Sequence, residues 1–178
     1  MEYKLIDVKR EDLLAIQILG ENNLNTSLVY KKNLLRDLLF SNDHILLKLV
    51  KNKEIIGIII CSLIPSENRI HIKYFLIDKK YRKKGLGTYM LKSITRMNYN
   101  TISLHVDTKN LIALKMYKKN NFRIIKLKEK YYSNPIRDSY YMILRKNITT
   151  EHFIIKKNRN NLILFLILLI LFLNINKF

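Results

Sequence analysis

The chain has 178 residues, enough for one ordinary domain and a short appendage but not for a second core. Apolar residues make up 48% and charged residues 26%, which excludes a disordered or collagen-like chain, and four glycines with two prolines exclude a turn-dense sandwich. The single cysteine, Cys61, excludes a disulfide framework or a Cys-rich zinc module and points to a reducing, intracellular compartment; the net charge of +19 comes with a composition more than half Leu, Ile, Lys and Asn, so compositional bias explains it better than a nucleic-acid partner does.

The amino terminus has no uninterrupted apolar run, so no secretory signal is expected. Residues 3–8 read as a strand, 11–19 as a helix and 20–25 as a polar loop. A second helix is expected over 27–40, with Leu28, Leu35, Leu38 and Leu39 as its stripe. Residues 44–50 alternate, with Ile45, Leu47 and Leu49 on one face. Residues 54–64 are almost continuously apolar, as in a strand buried on both sides. A turn at Pro65-Ser66-Glu67-Asn68 leads into a strand over 69–78, so this part reads as an antiparallel meander.

The pattern then changes to alternating helix and strand. Helices are predicted over 85–97 and 110–120, and strands over 101–106, 122–128 and 140–145. The result is a mixed α/β sheet of about seven strands with about four helices. After a basic polar linker (149–161), residues 162–173 are twelve consecutive Leu, Ile and Phe. As a helix they span about 18 Å, short of the roughly 30 Å hydrocarbon core. With no polar face, the segment 162–178 is expected to be a hydrophobic helix serving as a membrane tail anchor, and Lys156, Lys157 and Arg159 are expected to keep the domain over 1–148 cytosolic.

Arg82-Lys83-Lys84-Gly85-Leu86-Gly87 lies between a strand and a helix. Its glycines allow close backbone approach, and the free N–H groups of the helix start suit an anion such as a diphosphate. It is not a Walker loop, because no Gly-Lys-Ser/Thr follows. Further on, Asn110, Ala113 and Tyr117 share one helix. Together the two segments resemble the GCN5-related N-acetyltransferases (GNAT), with their Arg/Gln-x-x-Gly-x-Gly/Ala turn and Asn-x-x-Ala-x-x-x-Tyr helix. The similarity runs from about Tyr3 to Arg145.

That resemblance implies acetyl-CoA as acetyl donor and no metal. Phe75, Leu76 and Ile77 would offer backbone groups to the pantetheine arm and acetyl carbonyl. Arg82, Lys83, Lys84, Gly85, Leu86, Gly87 and Thr88 would hold the pyrophosphate. Asn110, Ala113 and Tyr117 would meet the far side of the thioester, with Tyr117 near the sulfur.

Ser103-Leu104-His105-Val106 and the pair Tyr131-Tyr132 look like protein N-terminal acetyltransferases of the NatE and NatF type. The likeness implies His105 as a base acting through water, with His71 where those enzymes carry Tyr. It also implies an acceptor groove walled by Tyr30, Tyr131 and Tyr132 beside Lys73, the pair lying in a loop before the last strand. By alternation His71 is expected opposite Ile70, Ile72 and Tyr74, with the two imidazoles flanking a slot between splayed neighbouring strands. The acidic limb of activity is then expected near the ordinary histidine range. Thr26-Ser27 replaces the Phe-Pro of NatE-type enzymes. The expected function is acetylation of protein N-termini at the cytosolic face of an ER- or Golgi-type membrane. Acetylation of lysine, of a ribosomal protein or of a small amine is an alternative, as is an inactive, basic, membrane-anchored binding protein.

Overall fold

The computed structural model describes residues 2–24 and 30–146. Its sheet has seven strands: β1 (Tyr3–Asp7), β2 (His44–Lys51), β3 (Glu54–Ile64), β4 (Arg69–Ile77), β5 (Thr101–Asp107), β6 (Arg123–Ser133) and β7 (Ile136–Arg145). Four α-helices accompany them among the described residues: α1 (Leu13–Asn23), α2 (Lys32–Leu39), α3 (Leu86–Thr95) and α4 (Leu111–Lys119). The strand order is β1-β2-β3-β4-β5-β7-β6. Every neighbouring pair is antiparallel except β4 and β5, which run parallel through the α3 crossover.

Two apolar layers hold the sheet between them. Met90, Leu91 and Ile94 of α3 and Leu114 of α4 pack on Ile59, Ile70, Ile102 and Leu104. Leu13, Ile16 and Leu35 of α1 and α2 pack on Leu46, Ile58 and Ile60. Ile58 to Cys61 are therefore fully buried from both sides, as the almost continuous apolar run over 54–64 implies. One charged pair interrupts the second layer: Lys48 Nζ donates to Asp12 Oδ2 at 2.5 Å, with both residues buried.

Several sequence expectations need correction. Helix α1 runs through Gly20 to Asn23 rather than ending at Leu19. The polar residues satisfy its end instead of breaking it: Asn23 donates Nδ2 to the Leu19 carbonyl and accepts the Lys79 N–H at 2.7 Å. Helix α2 begins at Lys32, and the earlier part of the expected 27–40 helix, Leu28 included, falls at the edge of or within the undescribed stretch 25–29. Strands β6 and β7 continue past Lys128 to a two-residue turn, so Tyr131 and Tyr132 lie on a strand and not in a loop. Charged Lys128, Glu129 and Lys130 hide this strand from its periodicity because the ladder is irregular between Lys128 and Tyr132. The Lys130 N–H donates to Asp138 Oδ1 there at 2.8 Å.

The expected linker 149–161 and hydrophobic segment 162–178 lie outside the described residues. Among the described residues no helix is long and apolar enough to cross a membrane.

Candidate active site

The parallel pair makes the site. The β4–β5 ladder extends only from Arg69–Thr101 to Ile72–Leu104. Beyond it, β4 stays on β3 and β5 stays on β7, so the two parallel strands part. The register also skips Lys73: Cys61 pairs with Ile72 and Ile60 with Tyr74. Such a bulge bends a strand and resets which side chains share a face. From Lys73 to Ile77 the β5-facing edge of β4 has no ladder partner.

A cleft of about 750 Å³ opens where the strands part. His71, Phe75, His105 and Tyr117 line it, as do Tyr30, Lys73, Asn110, Ala113, Tyr131 and Tyr132. The bulge corrects one expectation. Tyr74 does not follow Ile70 and Ile72 onto the α3 side; it packs with Leu76 in the α1–α2 layer and stacks on Tyr30 at 4.7 Å. The sequence carries no signal for this beyond the position of Lys73.

The two imidazoles lie with ring centroids 5.8 Å apart, edge to face. Tyr131 stacks on His105 at 4.1 Å, and Tyr132 meets Tyr131 edge to face at 5.0 Å. Each histidine is held from beneath: His71 Nδ1 is 2.9 Å from Ser103 Oγ and His105 Nδ1 is 3.0 Å from Ser139 Oγ. Both serines are completely buried. Motif reading passed over them as roles, although Ser103 stands in the Ser-Leu-His-Val strand.

Burial lowers the pKa of His71 to about 4, helped by Arg69 and Lys73. Burial likewise lowers His105 to about 4, with His71, Lys128 and Lys126 adding to the effect. Both rings are therefore neutral at physiological pH. Tyr117 is almost wholly buried, and burial pushes its hydroxyl well above the usual phenol range. It is a neutral O–H donor at the cleft wall. Burial also pushes Tyr132 up to about 12. Lys73 turns its ammonium toward His44, 3.3 Å from Nε2, while still bordering the cleft. Arg137 pairs with the Asp107 carboxylate on the opposite rim.

The glycine turn has the geometry of an anion cradle. Lys83 and Gly85 take left-handed φ values of +61° and +77°, and Gly85 is the N-cap of α3. The amides of Leu86, Gly87 and Thr88 open that helix without an acceptor four residues back. Arg82, an exposed residue, donates Nε to the Ile77 carbonyl at 2.9 Å and ties the turn to the strand end. A Cβ on Gly87 would lie 2.8 Å from Met116 Sδ, so this glycine also permits close packing of α3 on α4. Asn110 caps α4 by accepting the Ala113 N–H at 3.1 Å. Leu76 points into the α1–α2 layer, so its part in the cleft is restricted to its backbone.

The comparisons agree with this arrangement. The profile of the acetyltransferase (GNAT) family matches residues 15–122, more than half of the chain. The "probable N-acetyltransferase san" of Drosophila melanogaster is 34% identical over 88 residues, covering 46% of this chain and 48% of that protein. N-alpha-acetyltransferase 50 of Danio rerio is 30% identical over 100 residues, covering 52% and 59%. The chain thus matches about half the length of these curated relatives. The structure of Arabidopsis thaliana Naa50 in complex with the bisubstrate analogue CoA-Ac-MVNAL superposes with a TM-score of 0.70 at 26% identity, covering 82% of this chain and all of that one. With its matching profile, its parted parallel strands and its glycine turn, the chain belongs to the acetyltransferase (GNAT) family.

Proposed function

We propose that the protein transfers an acetyl group from acetyl-CoA to the α-amino group of protein N-termini. The observation that carries this reading is the pair of neutral, serine-anchored imidazoles across the cleft, walled by Tyr131. The likeness to proteins named N-alpha-acetyltransferase, and to a structure holding a CoA–peptide analogue, supports it.

The residues present fit acetyl-CoA. The bare β4 edge at 73–77 suits an extended pantetheine arm, and the open amides of Leu86 to Thr88 suit a pyrophosphate. Bound acetyl-CoA would supply the acetyl thioester and leave as the thiol. Tyr117, neutral and buried at the cleft wall, is suited to give a proton on that side.

Magnitudes decide how the amine reacts. A histidine of pKa about 4 taking a proton from an intact ammonium of pKa near 8 goes uphill by at most about 5 kcal/mol. Losing that proton to water at pH 7 costs only about 1.4 kcal/mol. The cations that lower the histidine values also disfavour a bound ammonium. The amine therefore enters neutral, donates an N–H hydrogen bond to an imidazole, and sheds that proton to it as the nitrogen bonds to carbon. The tyrosine walls suit an extended peptide lying along the groove.

The finer reading places this activity at the cytosolic face of a membrane. The apolar run 162–173 behind a basic linker supports it. A peptide panel with labelled acetyl-CoA tests the acceptor. Free N-termini should be turned over and blocked, Lys-bearing ones should not; the reverse result would assign the protein to side-chain amines. Failure to bind acetyl-CoA in calorimetry would favour an inactive binding protein.

A further inference from the structure

We infer that Ser103 is a positioning residue that holds the His71 ring with its proton on Nδ1, so that the lone pair of Nε2 faces the cleft and His71 is the acceptor of the amine proton. The inference rests on the acetyltransfer reading above and narrows it to one imidazole.

The protons available to the three groups fix the tautomer. Ser103 Oγ is completely buried and has two neighbours, His71 Nδ1 at 2.9 Å and the Ile70 carbonyl at 3.5 Å. A carbonyl can only accept, and a hydroxyl has one proton. If Ser103 donates to Ile70, Nδ1 must donate to Ser103, and two hydrogen bonds form. If Ser103 donates to Nδ1, the Ile70 contact is lost and one bond remains. The Ile70 contact is long and contributes less than the about 1 kcal/mol net of an ordinary buried hydrogen bond, but only the first arrangement keeps it, so that arrangement is favoured. The imidazole then has Nδ1–H beneath and an unprotonated Nε2, which has no protein partner among the described residues.

His105 differs. Its Nδ1 also meets a buried serine, Ser139, at 3.0 Å. That hydroxyl shows no carbonyl acceptor to fix its direction among the described residues, so nothing dictates where its proton goes. The His105 ring is instead stacked against Tyr131 at 4.1 Å and meets Tyr141 at a tilt, 5.1 Å away. It walls the slot and orients the incoming amine. In the reaction, the amine nitrogen forms its bond to the acetyl carbon and passes one proton to His71 Nε2, the C–S bond breaks, and the sulfur takes a proton from Tyr117 or water. The His71 imidazolium then gives up its proton to solvent, and where Tyr117 supplied the sulfur's proton, solvent restores it.

The test begins on the parent protein without substrate. Long-range ¹H–¹⁵N correlation spectra at pH 7 should show the His71 ring protonated at Nδ1 and bare at Nε2. Ser103→Ala should mix the two tautomers and lower kcat about tenfold, leaving the acetyl-CoA affinity unchanged; Ser103→Thr, which keeps a hydroxyl, should restore the tautomer. A parent that turns over peptides with its His71 proton on Nε2 overturns the inference, as does a folded Ser103→Ala variant with unchanged kcat and tautomer. Failure of the acetyltransfer reading looks different: the parent then acetylates no amine at all, whatever the tautomer.

Discussion

The pH dependence of turnover tests the site's electrostatics most directly. An unperturbed histidine would titrate near 6.5, whereas burial and neighbouring cations lower both His71 and His105 to about 4. The limb expected in the ordinary histidine range should therefore be absent. On the proposed function, what titrates between pH 5.5 and 7.5 is the acceptor, an α-ammonium of pKa near 8 that must lose its proton before attack. kcat/KM, which reports free enzyme and free substrate, should rise with unit slope, about tenfold per pH unit and roughly 100-fold over that interval, levelling above pH 8. Had an imidazole also to deprotonate near 6.5, the slope below that value would approach two. If the imidazole instead took its proton from an intact ammonium and kept it through the transition state, kcat/KM would be flat from about pH 5 to 8. Initial rates with a free-N-terminus peptide in constant-ionic-strength buffers separate the three. A slope of two, or a plateau, refutes the reasoning.

Stability has its own sign at the same groups. Because folding lowers the histidine pKa values, the unfolded chain binds more protons between about pH 4 and 6.5. The stabilisation these neutral rings allow is complete above 6.5 and is lost as pH falls toward 4. Thermal melts at each assay pH should show a falling Tm below 6.5, and rates below pH 5.5 should be read only where the melt shows folded protein.

Three further outcomes follow from the structure. His71→Ala should lower kcat by about 10²-fold with acetyl-CoA affinity unchanged in calorimetry, the low end of a general-base contribution, whereas His105→Ala should cost about tenfold through the loss of the ring beneath Tyr131. Gly87→Val should weaken acetyl-CoA binding, and because its side chain also meets Met116, the double variant Gly87→Val/Met116→Ala should regain Tm but not affinity; recovered affinity would mean that the glycine serves packing alone. Asp12→Ala strands the buried Lys48 ammonium and should destabilise the domain by about 3–5 kcal/mol in urea unfolding, more than the paired replacement Asp12→Leu/Lys48→Met.

Most of the sheet was legible because its strands obey simple periods. Ile102, Leu104 and Val106 alternate and are all buried, and within the run over 54–64 Ile56 to Cys61 are buried without a break, as its lack of alternation implied. The glycine turn and the Asn110–Tyr117 helix were legible because each depends on a few residue types at fixed spacing: left-handed φ at Gly85, a cap at Asn110. What escaped notice is irregular. Asn23 reads as a loop residue, yet its amide closes α1 and reaches Lys79 across more than fifty residues of sequence. Such a bond exists only after the chain has folded.

The site shows the same division at finer scale. The sequence identified His71 and His105 as partners, and the β4–β5 register puts their rings 5.8 Å apart. It placed Tyr74 on the wrong face, because strict alternation has no room for one extra residue at Lys73, and a single bulge reverses every later side chain on the strand. That reversal has a functional consequence. It brings Tyr74 against Tyr30 on the acceptor side and turns Phe75 and Ile77 toward the α3–α4 layer, leaving the β4 edge bare between them. On the acetyltransfer reading proposed above, the bulge divides one strand into a histidine that would meet the amine and a backbone edge that would receive an extended thioester arm. Removing Lys73 should restore regular pairing and rotate that edge out of use, which calorimetry would register as lost acetyl-CoA binding in a chain that keeps its helical content. A deletion variant that binds as before would show that the parting of β5 from β4, and not the bulge, creates the donor edge.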